Sequence, residues 1–476
     1  MTQKYDVLTQ EEVLKIHDHS MRILEEVGVE FTYDPAIKVF TDAGFKVEGH
    51  KVFFKREDVE ALAAKAPAEF TLSARDPKKT AKCNQVDLNL TPAYGPPYIY
   101  DLKGERRYSN MEDYDNIIKL TQMSENINHT GGNVCEPIEV PEEYRHLKML
   151  YSHIKYSDKP FMGSAYGVVG ASDSVKMAEM IFGGREQIKK NPVLITLINS
   201  ITPLKYDDRM LGALMTYAEA GQACLISSLV MSGSTGPVAM AATIALQMAE
   251  ILAGVCLAQL INPGTPCIMG STSGACDMRA MSLSIGSAET ALYTAATAQM
   301  ARYYGMPSRG GGGLNDAKVV DAQAGYESML TLFAAASSGI NYVLHAAGIM
   351  QYYTSFSYEK FIIDDEIAGL VRKFMKGFDF ADDKFLMDDI AQVGPGGHFL
   401  YQPSTFALCR EELRDVYVSD RGNWQDWDAA GRKTVAEAAC AKWQDLLTKY
   451  EAPEMDEALD KELCDFVAKR SAELTK

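Results

Sequence analysis

Short apolar runs alternate with longer helical stretches over most of the chain, beginning at about residue 111. The apolar runs have the length of strands and lie near residues 127–132, 160–166, 193–200, 223–230, 266–270, 307–309 and 342–346. Helical periodicity fills the intervals, near residues 142–157, 172–189, 207–220, 236–261, 282–304, 316–338 and 358–375. Repeated strand–helix units of this size predict an α/β fold. We expect a (β/α)8 TIM barrel, with a doubly wound open sheet as the structural alternative.

The two ends of the chain differ from this middle part. Thr9 and Glu12 form a capping box ahead of a periodic apolar set, so we predict a helix that ends at Gly28. Two short helices and strands near 70–73 and 86–90 follow it, and charged amphipathic helices fill the last part of the chain. We therefore expect an N-terminal extension of helices and strands, a TIM-barrel catalytic domain and a C-terminal helical extension, over residues 1–110, 111–400 and 401–476.

A run of four glycines, residues 310–313, follows one predicted strand and precedes Asn315 and Asp316, which we predict to cap the next helix. Glycines are entropically costly to order and offer no side chain for packing, so we expect something broad to lie against this bare backbone. A phosphate is one such ligand. However, Gly-Lys occurs nowhere in the chain, and Leu314 and Asn315 break the dinucleotide-binding pattern. Small polar residues follow other predicted strands too, which predicts a wide, flat barrel mouth.

Composition narrows the classes of partner and the compartment. The chain has 476 residues, 47% of them hydrophobic, and its net charge of -17 with a pI near 5.0 argues against nucleic acid and anionic membrane as partners. Nine scattered cysteines without a Cys-x-x-Cys, and an N-terminus without an apolar signal core, favour a reducing cytoplasm. Gln247, Glu250 and Gln259 interrupt the apolar run 238–261, which we predict to be a buried helix. The acidic surface and long terminal helices are compatible with a homo-oligomer.

Several common chemistries lack their residues. There is no His-Glu-x-x-His, and the segment 270–274 carries Thr272 where a nucleophile elbow needs a serine. Lys318 could form a Schiff base, but it stands at a predicted helix start rather than at a strand end. We therefore predict no acid–base pair and no metal site.

Polar and aromatic residues do collect at the predicted barrel mouth. Asn199 and His345 end predicted strands, and Arg309 precedes the glycine run. Aromatic residues accompany them, at Tyr94, Tyr98, Tyr353 and Phe356. A quaternary ammonium cannot donate a conventional hydrogen bond, so ring faces must hold it. Asn199, His345 or Arg309 could then bind a carboxylate at the other end of the same ligand.

Each of these residues also has an interpretation without a ligand. The proline-rich loop 91–100, which carries Tyr94 and Tyr98, could cover the core. A histidine at an apolar strand end is often a hydrogen-bonded core residue, and this alternative applies to His345. Arg309 could be structural and pair with an acid under the glycine run.

Three motifs carry a family resemblance. They are Gly310-Gly-Gly-Gly-Leu-Asn-Asp-Ala-Lys318, Asp321-Ala-Gln-Ala-Gly-Tyr-Glu327 and Gly394-Pro-Gly-Gly-His398. Together they resemble the trimethylamine methyltransferase superfamily over nearly the whole chain. The founding branch of that family uses pyrrolysine, whereas this sequence contains only standard residues. It therefore resembles the branch without pyrrolysine, whose members demethylate quaternary amines such as glycine betaine, proline betaine and carnitine.

The resemblance implies an eightfold barrel that passes a methyl group to the Co(I) of a separate, cognate corrinoid protein, with no tightly bound cofactor of its own. The substrate would be a carboxylated quaternary amine: glycine betaine first, or proline betaine, carnitine or butyrobetaine. A quaternary nitrogen has no lone pair and needs no proton before its methyl group is displaced, which explains the missing acid–base pair. Asn199 and His345 would contact the substrate's carboxylate, and Gly310, Gly311, Gly312 and Gly313 would face the corrinoid.

Two other functions remain open on the sequence alone. The first is a non-catalytic protein that binds or senses quaternary amines on the same barrel, because aromatic residues without an acid–base pair suit it equally well. The second is a barrel lyase that uses Lys318.

Overall fold

A computed structural model describes residues 4–475 and contains one large parallel sheet. Its strands, numbered here in chain order, are β1 (Asn89–Pro92), β2 (Phe161–Met162), β3 (Leu194–Asn199), β4 (Ala223–Ser228), β5 (Cys267–Ser271), β6 (Ser308–Gly311) and β7 (Tyr342–Ala347). The order across the sheet is β1-β7-β6-β5-β4-β3-β2, with every pair parallel. The predicted α/β class is confirmed. The sheet is curled and open between β1 and β2, so a closed eight-stranded barrel is not established.

The gap between β1 and β2 contains residues 128–132, part of a predicted strand that does not form one in the described chain. The segment instead makes one backbone hydrogen bond to the β1 edge and two to the β2 edge. His129 N donates to Leu90 O at 3.3 Å, Thr130 N donates to Pro160 O at 2.9 Å, and Met162 N donates to Gly131 O at 2.8 Å. Asn89–Pro92, from the predicted N-terminal extension, supplies the other edge strand.

Helices lie around this sheet and at both ends of the chain. In chain order they are α1 (Gln10–Arg22), α2 (Asp34–Asp42), α3 (Arg56–Ala63), α4 (Met111–Met123), α5 (Glu142–Tyr156), α6 (Gly167–Ile181), α7 (Arg185–Lys190), α8 (Asp208–Glu219), α9 (Met240–Ile261), α10 (Ala288–Tyr303), α11 (Ala322–Ser338), α12 (Tyr358–Lys376), α13 (Met387–Val393), α14 (Pro403–Glu412), α15 (Trp424–Ala429), α16 (Val435–Thr448) and α17 (Glu457–Leu474). The predicted capping box is present, and a π turn, Ile23–Val27, leads from α1 to Gly28. α16 packs on α12, and α17 packs on α5.

Smaller sheets accompany the main one. Strands Val29–Phe31, Lys46–Glu48, Lys51–Phe53 and Lys205–Tyr206 form one of them. Others contain the strands Phe70–Leu72 and Ala81–Cys83; Tyr98–Tyr100, Arg106–Tyr108, Ile349–Met350 and Ser355–Phe356; and Met231–Ser232, Gly274–Asp277 and Ser282–Ser284. The Phe70–Leu72 hairpin packs into the interior of the curled sheet, because Leu72, Ala81 and Cys83 share one buried cluster with Leu225 and Leu344.

The predicted buried helix at 236–261 is α9, and it is a core helix. By length and composition it is the one helix of residues 4–475 that could cross a membrane, but 89% of its most apolar window is buried inside the protein. It packs on α1, α3 and α8 and on β4, in the largest apolar cluster. Burial of this kind accounts for its hydropathy without a lipid environment.

The helix predicted to begin at Asn315 or Asp316 begins later, at Ala322, and this prediction was wrong. Asp321 is the cap, and its side chain accepts hydrogen bonds from Gln323 N and Ala324 N. Asp316 instead accepts hydrogen bonds from the distant Ile285 N and Ser284 Oγ. A good capping residue has here been recruited by another segment of the chain.

Candidate functional site

One row of residues crosses the inner face of the curled sheet. Parallel pairing places Asn199 opposite Ser227, Ser227 opposite Gly270, Gly270 opposite Arg309, and Arg309 opposite Tyr342. Paired residues of adjacent strands point to the same face. Tyr342 belongs to the interior cluster, so the whole row faces inward. The register therefore brings two predicted site residues, Asn199 and Arg309, onto one inner surface.

Arg309 is the largest polar side chain of this row, and it is only 2% exposed. Its Nη1 donates to Ser227 Oγ at 3.0 Å and more weakly to Thr272 Oγ1 at 3.5 Å. The side chain reaches Ser227, two strands away, past the bare Gly270 of the intervening strand. Its Nε is buried without a hydrogen-bond partner. The row thus leaves part of a guanidinium group unsatisfied.

No carboxylate of residues 4–475 forms an ion pair with Arg309, so the alternative of a structural pair under the glycine run was wrong. Burial lowers the pKa of Arg309 to about 10, which still leaves it charged at neutral pH. A buried cation without a counter-charge is costly, and most proteins avoid one. A planar guanidinium in this state is suited to a carboxylate that arrives with a ligand.

His345 lies beside Arg309 in a strained backbone conformation, with φ at 64° in the left-handed region. Its Nδ1 accepts a hydrogen bond from Tyr94 N at 3.1 Å, so we assign the ring proton to Nε2. Burial, and secondarily Arg309, hold the pKa of His345 well below its usual range. The imidazole is therefore neutral, and its Nε2 is a donor rather than a base.

Aromatic rings of Tyr94 and Tyr353 flank His345, with ring centroids 6.4 Å and 4.7 Å from the imidazole. Burial raises the pKa of Tyr94 to about 12; Glu136 adds to this increase and Arg309 opposes it. Tyr94 thus lies within the fields of a carboxylate and a guanidinium. A ligand that carries both charges would find complementary fields there.

The segment that carries Tyr353 is itself strained. Gln351, Tyr352 and Tyr353 all have φ between 55° and 72°, a region that costs a non-glycine residue roughly 1–2 kcal/mol. The Gln351 side chain holds the segment, because its Nε2 donates to Lys318 O at 3.0 Å and its Oε1 accepts from Ser355 Oγ at 2.8 Å. Strain of this kind is concentrated at functional sites.

Two other predicted cage residues lie apart from this group. Tyr98 stacks on Tyr108 at 4.8 Å and under Arg106 at 3.7 Å, on an outer hairpin. Phe356 is fully buried and packs against Tyr358. Within the described chain, no hydrogen bond or ring contact joins Tyr98 or Phe356 to His345 or Arg309. Their role in a cage stays a prediction.

The four glycines are buried, and neighbouring elements occupy the space that a Cβ would need. A Cβ at Gly310 would lie 2.7 Å from Thr294 of α10, and one at Gly312 would lie 2.6 Å from Val343. Gly313 has φ at 63°, and its Cβ would meet Ala346 O at 2.6 Å. Close packing therefore explains why this segment consists of glycines. Their contact with a corrinoid stays a prediction.

Sequence reasoning missed several members of the site. Ser227, Thr272 and Tyr342 lie near Arg309 or in its row. Ser227 and Tyr342 fell within predicted strands, but neither was predicted to be a site residue. The position of Ser227 could have identified it, because Ser227 stands at the same place in β4 as Asn199 does in the preceding strand, β3. Among the residues described, no cluster of three or more His, Cys, Asp or Glu could hold a metal ion.

Exposed apolar side chains surround the mouth, on loops that follow the strands. Ile201 and Leu229 are 46% and 38% exposed, and Val238, Met278 and Met281 are 62% to 75% exposed. Small polar residues, such as those at 232–235, separate them. Exposed apolar residues gathered at one end of a protein are typical of a surface that contacts another macromolecule.

Comparison with known proteins gives this geometry a context. The family profile described as trimethylamine methyltransferase (MTTB) matches residues 1–475. A glycine betaine methyltransferase from Desulfitobacterium hafniense (strain Y51) is 54% identical over 471 residues, which cover 99% of this chain and 98% of that protein. A proline betaine:corrinoid methyltransferase from Eubacterium limosum is 31% identical, with 92% of each chain covered.

A solved structure agrees at the level of the fold. The monomethylamine methyltransferase of Methanosarcina barkeri superposes with a TM-score of 0.55 at 11% identity, over 93% of this chain and 89% of that one. At so low an identity the likeness concerns the fold alone. The full-length match to the family profile and to the two betaine methyltransferases confirms the resemblance carried by the sequence motifs. This chain belongs to the trimethylamine methyltransferase (MTTB) family.

Proposed function

We propose that this protein transfers a methyl group from a carboxylated quaternary amine to the Co(I) of a cognate corrinoid protein. The observation that carries the proposal is the buried guanidinium of Arg309, which has no carboxylate partner in the described chain and keeps an unsatisfied Nε. A betaine supplies the missing carboxylate and, at its other end, a quaternary ammonium. We propose glycine betaine as the first substrate, because the relative at 54% identity is named for it.

In this proposal the substrate carboxylate binds Arg309, beside the Ser227 and Thr272 hydroxyls and within reach of Asn199 on the same row. The quaternary ammonium lies against the rings of Tyr94 and Tyr353. Ring faces attract a cation that cannot donate hydrogen bonds. Because Arg309 is fixed by its strand, the distance from the guanidinium to the rings would discriminate among glycine betaine, proline betaine, carnitine and butyrobetaine.

The reaction requires alignment rather than proton transfer. The bond from methyl carbon to nitrogen breaks, nitrogen keeps the electron pair, and a neutral tertiary amine leaves. The methyl group needs an electron pair from its acceptor, which reduced corrinoid cobalt supplies when the partner protein is bound. The protein's own residues bind the carboxylate, orient one methyl group toward the mouth and exclude water. The neutral His345 suits a site in which no proton has to move.

The mouth offers a surface for the partner that brings the corrinoid. The apolar rim residues Ile201, Leu229, Val238, Met278 and Met281 lie on loops beyond the carboxyl ends of the strands, where barrel sites are built. We propose that the corrinoid protein docks there and that this protein holds no resident cofactor. We further propose that residues 128–132 complete the barrel, that residues 1–110 and 401–476 pack around the domain 111–400 as extensions, and that the protein works in the cytoplasm.

The test measures methyl transfer with purified protein, a panel of carboxylated quaternary amines, and either cob(I)alamin or a reduced corrinoid protein as acceptor. Methylated corrinoid, followed by its absorbance, should form with one or a few of the amines. Calorimetry with the same panel separates a binder from an enzyme. Tight binding without methylation of either acceptor would favour the quaternary-amine binding or sensing protein.

The lyase alternative has a separate test. Lys318 is exposed, donates to Tyr352 Oη at 2.7 Å and lies 3.9 Å over the Tyr352 ring, outside the Arg309 row. Borohydride trapping with a carbonyl substrate should therefore fail. A covalent adduct on Lys318 would contradict the methyltransferase proposal.

A further inference from the structure

Residues 377–413, here called the arm, bury none of their side chains, although the structure describes every one of them. The arm contains α13 and α14 and follows the last turn of α12. Six of its aromatic side chains are between 43% and 87% exposed: Phe378, Phe380, Phe385, Phe399, Tyr401 and Phe406. Helices as short as these are marginal in water without a packed face. So many exposed rings in one segment mark a surface that another surface covers.

An apolar groove lies next to the base of the arm. α10 contributes its alanine-rich face, α11 contributes Leu330 and Phe333, and the N-terminal residues 4–7 form one rim. Its volume is about 1140 Å³. One phenyl ring already packs there, because Phe374 of α12 contacts Phe333 edge-to-face at 5.1 Å. The groove is therefore suited to phenylalanine side chains, and it has room for more of them.

We propose that the arm of one protomer packs into this groove of a second copy of the same chain, and that the second arm returns the contact. Phe374 lines the groove and stands three residues before the arm, so the two surfaces are adjacent on one protomer. In the proposed pair each protomer gives its arm to the same partner from which it receives one, so a two-fold axis relates the two chains and the assembly closes as a dimer.

Charge supports the same pairing. The arm carries aspartates without an ion-pair partner, including Asp379 and Asp388, while its Lys384 pairs with Glu411 and Glu412 of the arm itself. The rim of the groove carries Lys4 and Arg302 against a single carboxylate, Asp6. An acidic arm therefore meets a rim with an excess of positive charge. The same acidity disfavours an anionic membrane as the cover of the arm.

The position of the arm argues against a protein bound at the mouth of the same protomer. Arg372, in the last turns of α12, donates to Leu88 O and Asn126 O, which precede β1 and the segment 128–132. The arm thus leaves the body at the amino ends of the strands. The predicted mouth, with Asn199 and the rim loops, lies at their carboxyl ends. A partner docked at the mouth would not cover the root of the arm.

The first experiment is sedimentation velocity of the full chain over a range of concentrations. A protomer of 52.4 kDa should sediment as a dimer or a larger even-numbered assembly. Phe378→Ser with Phe380→Ser in the arm, or Leu292→Glu with Leu330→Glu in the groove, should weaken self-association at least tenfold. Far-UV circular dichroism and Tm should barely change, because all four residues are exposed. Val86→Ser, an equally exposed apolar residue elsewhere, is the matched control and should leave the assembly intact.

The second experiment identifies which surfaces meet and does not depend on any variant. Chains labelled with ¹⁵N and unlabelled chains are mixed, cross-linked through lysines and digested. Cross-links between Lys384 of the arm and Lys4 of the groove should join a heavy peptide to a light one. A wild-type monomer at tens of micromolar, an assembly unaffected by both pairs of substitutions, or cross-links confined to single chains would each overturn the proposal. The last result would mean that the arm folds back onto its own groove.

Discussion

Two buried cations, one on a helix and one on the main sheet, have opposite kinds of partner. Lys360 of α12 is fully buried, forms an ion pair with Asp364 and donates to Ser328 Oγ at 2.7 Å. Arg309 of β6 is equally buried, and its partners are two neutral hydroxyls. The first cation completes a frame, since Asp364 also accepts from Gly348 N, and Ser328 donates to Gly313 O. The second is left for a ligand to complete.

The difference indicates which buried charges belong to the fold and which to the function. Burial lowers the pKa of both cations and raises the pKa of Asp364 to about 6. For Lys360 the cost is offset inside the protein by Asp364. For Arg309 no carboxylate in the described chain offsets it, and a structure under selection for stability alone would not keep such a group. Removing each cation should therefore have opposite consequences for stability.

The largest effect is expected at the frame. Lys360→Met should cost about 3–5 kcal/mol of unfolding free energy, because Asp364 would remain as an unpaired buried carboxyl. Urea unfolding measures this loss. The double variant Lys360→Met with Asp364→Leu should recover much of it. Lys376→Met, at the exposed end of the same helix, is the control and should change stability by less than about 0.5 kcal/mol. If Lys360→Met were as stable as the wild type, Lys360 would not be part of the structural frame and the comparison would fail.

Arg309→Met should spare the fold and weaken the site. We expect the ligand-free protein to keep its Tm or gain slightly, since a buried charge without a counter-charge has been removed. Binding of the betaine substrate should weaken by about 2–4 kcal/mol, which corresponds to a roughly 30- to 1000-fold increase in Kd. Calorimetry and thermal unfolding of one preparation measure both. Arg75→Met is the matched control, because within residues 4–475 the hydrogen bonds of this arginine go to the backbone oxygens of Ser157 and Glu454. A large loss of stability in Arg309→Met would show that Arg309 belongs to the structural frame rather than to the binding site.

The pH dependence of binding should follow Arg309 alone. Burial lowers the pKa of its guanidinium to about 10, and the pKa of His345 lies well below its usual range. The charged form of Arg309 binds the carboxylate, so Kd should stay level from about pH 7 to pH 9. Above about pH 10 the charged fraction falls, and Kd should rise by up to tenfold per unit. Titration calorimetry in buffers of different pH measures this, with circular dichroism at each pH to verify folding. A step near pH 6 to 7 would show that a histidine controls binding.

Much of this architecture could be predicted from the sequence, and the failures have physical causes. The predicted runs located β2 to β7, and most of these strands are apolar because parallel strands are covered on both faces; β6, Ser-Arg-Gly-Gly, is the exception. β1 was predicted at 86–90, three residues early, and was assigned to the N-terminal extension, because it is short and ends in proline, Asn-Leu-Thr-Pro. The segment 127–132 has the composition of a strand, but it makes one backbone hydrogen bond to the β1 edge and two to the β2 edge. Whether Arg309 has an acid beside it is a matter of tertiary contact, which periodicity does not reveal. The same limit hid the long-range use of Asp316.

The smallest effect is expected at the aromatic rings, where it sharpens the choice among the cage candidates. Tyr353→Leu removes a ring face next to His345 and should weaken binding of the quaternary ammonium by about 0.5–2 kcal/mol, or roughly 2- to 30-fold. Tyr353→Phe keeps the face and should bind nearly as the wild type does. Tyr98→Leu alters a ring that stacks on Tyr108 instead, and it should leave Kd unchanged. An isosteric neutral analogue of the substrate provides a further control, since its affinity should not respond to Tyr353→Leu. Equal losses at Tyr98 and Tyr353 would mean that the outer hairpin closes over the ligand, and that the cage extends beyond the residues that contact His345.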